Sequence, residues 1–131
     1  MKTSMKPVFA PQLYIPNGVK NVDFYLKALG AAELRRWSNG DGSVHVSELS
    51  IDGTIFHLHE QKPSAQQFDP ITCKGSTVMI GLFVEDVDLI MGNAKAAGAT
   101  IINPAKDYDY GYRQGAFKDP FGHCWLIEKK I

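Results

Sequence analysis

A chain of 131 residues suffices for one domain of ordinary size, which buries roughly two thirds of the surface its unfolded chain exposes. Its 44% hydrophobic and 21% charged content is that of a globular protein and excludes disordered and collagen-like classes. Fourteen basic residues balance fourteen acidic ones, so the basic excess that nucleic acid or an anionic membrane surface demands is missing. The expected partners are a small organic molecule and a second copy of the chain, with no nucleic acid and no membrane.

Lys2 and Lys6 precede Pro7, Pro11, Gln12 and Pro16, which interrupt the apolar run a secretory signal needs. The longest apolar run, Val78 to Val84, is too short to cross a bilayer. The expected location is cytoplasmic. A core of this size does not depend on a disulfide, so Cys73 and Cys124 are expected to be free thiols.

Val8 to Ile15 reads as a strand, and Asn17 as the cap of a helix whose apolar stripe is Val22, Tyr25, Leu26 and Leu29, with Gly30 at its C-terminal end. Strands over Ala32 to Ser38, Val44 to Ile51 and Thr54 to Glu60 follow, separated by Asn39-Gly40-Asp41-Gly42 and Asp52-Gly53 turns. Residues 61–77, rich in Gln, Pro, Ser and Lys, read as a long connection. The pattern then begins again: a strand over Val78 to Val84, a helix capped by Asp86 and ended by Gly98, and strands near Thr100 to Asn103, Gly111 to Lys118 and His123 to Lys129. Asp119-Pro120-Phe121-Gly122 carries Asp, Pro and Gly where a type I turn wants them.

Asn17 and Asp86, and Gly53 and Gly122, are each 69 residues apart (86−17, 122−53). The spacing implies an α+β architecture of two βαβββ modules, about 8–60 and about 78–131, joined by the 61–77 linker in a single domain covering 1–131. A pseudo-twofold axis relates them, and their curved mixed sheets enclose a cavity. Alternation along the strands puts Leu13, Ile15, Phe56, Leu58, Trp125 and Ile127 under the helices. It leaves Ala10, Gln12, Tyr14, His57, His59, Met79, Gly81, Phe83, Leu126 and Glu128 facing the cavity. Trp37, Trp125 and most phenylalanines are expected in the core, and Gly111 and Gly115 at backbone bends.

The stretch Asn21-Val22-Asp23-Phe24-Tyr25 before Ala28-Leu29-Gly30, the paired modules and the tract YGYRQGAFKDPFGHCW at 110–125 resemble the vicinal oxygen chelate superfamily of glyoxalases, bleomycin-resistance proteins and dioxygenases. Within it the tract is similar to the PhnB-like branch. The resemblance implies one metal ligand on each of four inward strand positions, which fall on Ala10, His57, Met79 and Leu126. Of these only His57 suits a borderline divalent ion, and a catalytic centre needs about three protein ligands. No cofactor is therefore expected at the family positions. Two residues further along the same faces, Gln12, His59 and Glu128 form an alternative, displaced ligand set for a divalent metal.

Three tyrosines alternate in Asp107-Tyr108-Asp109-Tyr110-Gly111-Tyr112-Arg113, a pattern that suits either a cavity mouth or a subunit surface. Arg113 is expected either to bind substrate there or to hold the loop. His45 and His123 read as structural. The leading expectation is a metal-independent binder whose ligand contacts Gln12, Tyr14, His57, His59, Met79, Phe83, Tyr110, Tyr112, Arg113 and Leu126. The alternative is an enzyme, either a lyase, isomerase or dioxygenase with the displaced metal site or a metal-free catalyst with His57 as general base. Open sheet edges imply a homodimer.

Overall fold

The computed structural model describes residues 5–131; Lys2 lies outside them. The elements are β1 (Gln12–Ile15), α1 (Asp23–Leu29), β2 (Ala32–Ser38), β3 (Val44–Ile51), β4 (Thr54–Glu60), a 3₁₀ turn (Pro63–Ala65), β5 (Met79–Phe83), α2 (Val87–Ala96), β6 (Thr100–Tyr108), β7 (Tyr112–Lys118) and β8 (Cys124–Lys130). They form two four-stranded mixed sheets, ordered β1-β4-β3-β2 and β5-β8-β7-β6. In each, the first strand pairs parallel with the last and the remaining pairs are antiparallel. The parallel registers superimpose. Gln12↔His57, Leu13↔Leu58 and Tyr14↔His59 recur as Gly81↔Leu126, Leu82↔Ile127 and Phe83↔Glu128, 69 residues on (81−12, 126−57).

Three boundaries differ from expectation by more than a residue. β1 starts at Gln12 because Pro11 has no N–H to donate, and Val8 and Phe9 stand in solvent, Phe9 97% exposed. Asn17 does not cap α1. Its side-chain amide donates to Glu60 Oε2 (3.3 Å) and the Gln61 carbonyl (3.1 Å), while Asn21 Oδ1 accepts from the Asp23 N–H (2.8 Å), so the helix begins later. β6 runs on to Tyr108 through Pro104, which a sheet edge tolerates, at the expense of two register irregularities. Gly30, at φ 67°, and Asp86, whose side chain accepts from the Leu89 N–H, end and begin their helices as anticipated. Both cysteines are free thiols.

One continuous core joins the two modules. Leu13, Ile15, Phe56 and Leu58 from the first sheet and Phe117, Trp125 and Ile127 from the second are all buried against Phe24, Tyr25, Val87 and Met91 of the helices. Phe56 meets Trp125 edge to face at 5.7 Å, which ties β4 to β8. Gly115 serves this packing and is not a bend. A Cβ there would lie 2.8 Å from the Met91 sulfur, so the glycine lets α2 settle on β7.

Asp119, 3% exposed, is the polar centre of this core. Its carboxylate accepts from Tyr25 Oη (2.7 Å), Trp125 Nε1 (3.0 Å) and the backbone N–H groups of Phe121 (2.9 Å) and His123 (3.0 Å). Burial, and then the Asp119 charge, push the Tyr25 phenol well above its ordinary value. Tyr25→Phe keeps the ring packing and removes one charge-assisted hydrogen bond. It is expected to destabilise the protein by about 1.5–3 kcal/mol in urea unfolding. Asp119→Ala strands three further donors and is expected to cost more.

Candidate functional site

With the helices on one face of each sheet, the opposite faces carry the polar and aromatic side chains. On the first sheet, Gln12 stands between two histidines. Its Nε2 approaches the Ala10 carbonyl at 3.1 Å and His57 Nδ1 at 2.8 Å, and its Oε1 approaches His59 Nε2 at 2.6 Å. Because a carbonyl only accepts, the atom facing Ala10 is the amide nitrogen, and that fixes every other direction. His57 Nδ1 accepts, its proton sits on Nε2, and Nε2–H donates to Glu48 Oε2 at 3.0 Å. His59 carries its proton on Nε2 and donates to Gln12 Oε1. Donation therefore runs from His59 through Gln12 and His57 to Glu48.

The two histidines are consequently unequal. Both ring nitrogens of His57 are engaged, whereas His59 Nδ1 has no hydrogen-bond partner among the described residues. Tyr14 packs at 5.9 Å from the His59 ring. Burial, and then the neighbouring His57 and His45 charges, lower the His59 proton affinity below its ordinary value. Both His59 and Tyr14 also line a hollow of about 400 Å³ with His45, Glu60 and Gln67.

A larger cleft, about 680 Å³, opens between the β1 and β5 edges. Gln12 and Tyr14 line one side, Met79 and Gly81 the other, and Phe9, Phe68 and Cys73 close it from the N-terminal segment and the linker. At its base His123 Nε2 donates to the Tyr14 carbonyl (2.6 Å), a strut between the modules. That bears out the structural reading of His123; His45 pairs with Glu60 (2.9 Å).

The second sheet presents a different chemistry. Phe83 and Tyr112 lie 6.1 Å apart, Tyr110 follows at 5.9 Å from Tyr112, and Tyr108 stacks on Tyr110 at 5.3 Å. Tyr110 Oη donates to Gln114 Oε1, and Gln114 Nε2 donates to Glu128 Oε1 (2.9 Å). Glu128 is 9% exposed. Leu126 pairs with Gly81 on the same sheet.

Arg113 stands apart from this face. Adjacent to Tyr112 on β7, it points to the helix side, where Nε and Nη2 grip Asp88 of α2 (2.9 and 2.8 Å) and Nη1 meets Asp107 (2.9 Å). These contacts tie Asp107, near the end of β6, and α2 to β7. Trp37 also departs from expectation. It is 37% exposed, pairs with Val46 across the first sheet, and carries the Arg35 guanidinium 4.3 Å above its ring. Glu48 and Gln114 were not anticipated, although the Asp52-Gly53 turn fixes the register that sets Glu48 opposite His57.

Residues 9–127 match the Glyoxalase/Bleomycin resistance protein/Dioxygenase superfamily. The chain belongs to that superfamily. It is 33% identical over 134 residues to the uncharacterized protein Rv0887c of Mycobacterium tuberculosis, covering 100% of this chain and 79% of the relative. Among solved structures it is similar to the hypothetical protein SA1046 of S. aureus, with TM-score 0.70, 26% identity and coverage of 95% of this chain and 94% of the other. Fosfomycin resistance protein FosX from Mesorhizobium loti shares the fold, with TM-score 0.69 at 10% identity and coverage of 98% and 95%.

The donor set at the superfamily's metal-ligand positions does not fit a divalent centre. Ala10 and Leu126 have no donor, Met79 offers a thioether, and His57 has both nitrogens engaged. Among the described residues no three His, Cys, Asp or Glu side chains are grouped to hold an ion. In the displaced set, Gln12 bonds to His59, while Glu128 bonds to Gln114 on the other sheet.

The depressed proton affinity of His59 has a signed consequence for stability. The unfolded chain binds the proton first, so the contribution is fully present above the ordinary value of 6.5 and is lost as pH falls through it. Imidazole chemical shifts followed by NMR are expected to show His59 titrating below 6.5. His59→Gln is expected to flatten the acid limb of the stability profile.

Proposed function

We propose that the protein binds a small organic molecule in the cleft between the β1 and β5 edges and on the adjoining open faces, without a metal ion. The observation that carries this reading is the hydrogen-bond chain His59–Gln12–His57–Glu48, which occupies the side chains a metal centre would take and still leaves His59 Nδ1 available to a ligand. A flat or aromatic body suits the cleft, since Phe9, Tyr14, Phe68 and Met79 supply its wall. The tract at 110–125 supports placement in the PhnB-like branch. The fosfomycin-resistance name of one structural neighbour makes capture or inactivation of an antibiotic-like compound one biological use of such a site.

The unpaired outer edges β2 and β6, with Leu34, Trp37 and Ile102 exposed, support a homodimer. No helix among the described residues is long and apolar enough to cross a membrane, and a cytoplasmic setting is part of the proposal.

A second reading, an enzyme of the lyase or isomerase type, is favoured by one feature: neutral His59 with an unpartnered nitrogen is a better-placed general base than His57. Thermal unfolding separates the metal-free readings from a metal-dependent enzyme. Metal-stripped protein is expected to melt unchanged with Ni²⁺, Zn²⁺, Mn²⁺ or Fe²⁺, and a ligand at 100 times its Kd is expected to stabilise it by about 2.7 kcal/mol. A stoichiometric ion whose shift vanishes in His59→Ala would sink the metal-free reading and select the displaced Gln12, His59 and Glu128 centre.

A further inference from the structure

Glu128 is buried without a counter-ion. Its side chain receives one hydrogen bond, from the neutral Gln114 amide to Oε1, and among the described residues no Lys, Arg or His nitrogen lies within 4.0 Å of its carboxylate. Three nearby cations are committed elsewhere, while Lys130, opposite Tyr112 on β8, is exposed and makes no ion pair with Glu128. Lys106 Nζ sits 4.8 Å above the Tyr108 ring, Lys129 Nζ donates to the Glu85 carbonyl (3.0 Å), and Arg113 is held by Asp88 and Asp107. Removing a carboxylate from water is costly unless it is paired, and Glu128 Oε2 accordingly keeps contact with solvent, since no buried side-chain oxygen among the described residues lacks a hydrogen-bond partner.

The carboxylate also has room made for it. A Cβ at Gly81 would lie 2.9 Å from Glu128 Oε2, so the missing side chain lets that oxygen lie beside β5, whose Gly81 lines the cleft. Phe83, the register partner of Glu128, is 58% exposed, and its ring faces that of Tyr112 at 6.1 Å. An oxygen that lacks a donor, next to open aromatic rings, matches a protonated amine on an apolar body: N–H to Oε2, ring quadrupoles to the positive charge.

We propose that the second sheet's open face binds an organic ammonium group, with Glu128 Oε2 as its counter-ion and Phe83 and Tyr112 packing the ligand's body. This rests on the reading of the cleft as a ligand site and adds the charge of the ligand. It also assigns Gly81 a purpose in the site, since any side chain there displaces the carboxylate.

Phenethylamine and its neutral counterpart 2-phenylethanol, titrated into the intact protein by NMR and calorimetry, test it. The amine is expected to bind more tightly than the alcohol. Glu128→Gln, which preserves shape and the Gln114 contact, is expected to weaken the amine about 10- to 100-fold and leave the alcohol unchanged. Gly81→Ala, which moves the carboxylate without removing it, is expected to cut the same preference in part. If amine and alcohol bind equally, or Glu128→Gln leaves their ratio intact, the ammonium inference falls and the cleft stands as a ligand site. If neither binds, both fall.

Discussion

Everything in the arrangement hangs on how the two modules are held to each other, and that is the work of one buried carboxylate. Asp119 sits in the turn between β7 and β8, yet its strongest partner is Tyr25 of α1, 94 residues away in sequence. Four donors converge on it. A buried anion so saturated is stable where it is and nowhere else, because any displacement strands donors in an apolar core. It fixes the first helix against the second sheet, and Phe56 on Trp125 fixes the sheets to each other. The strut from His123 to the Tyr14 carbonyl then sets β1 beside β5.

Putting the whole core on the helix sides leaves the opposite faces unclaimed by packing. There the side chains are partnered with one another in chains of hydrogen bonds, not buried in a second core. On the first sheet, the Ala10 carbonyl dictates the orientation of Gln12 and so the tautomers of both histidines. A single backbone acceptor thereby determines which imidazole nitrogen is left open. This is why His57, the more conspicuous residue on the strand, is the less available one.

The scaffold was largely legible from the sequence because its signals are local or periodic. Asp86, Gly30 and the turn pairs mark element ends, alternation separates Phe56 and Leu58 from His57 and His59, and the 69-residue spacing exposes the repeat. What escaped depends on contacts between distant segments or on the edges of the sheets. Asn17 looks like a cap until the end of β4 claims its amide. Trp37 has the hydrophobicity of a core residue but lies on the sheet's open face, part exposed, with the Arg35 guanidinium over its ring. Arg113 belongs to a ligand-like loop, yet parity alone, read one residue further, turns it toward Asp88 and α2. Glu48 required only the hairpin register, and Gln114 the same argument on the second hairpin.

The repeat makes the two open faces equivalent in backbone and different in chemistry. Gln12 corresponds to Gly81 and His59 to Glu128, so where the first sheet spreads an amide between imidazoles, the second leaves space and fills it with a carboxylate. The glycine at one position gives the carboxylate at the other its place: a Cβ at 81 would lie 2.9 Å from Glu128 Oε2 and oblige it to move. On the proposed reading, a ligand that extends from the cleft between β1 and β5 onto both open faces would meet neutral imidazole and amide groups on one and a carboxylate with aromatic rings on the other. Such a pair of faces would select by charge distribution along the ligand as much as by shape. Among the described residues, the hydrogen-bond networks of the two faces leave different groups open, His59 Nδ1 on the first sheet and Glu128 Oε2 on the second.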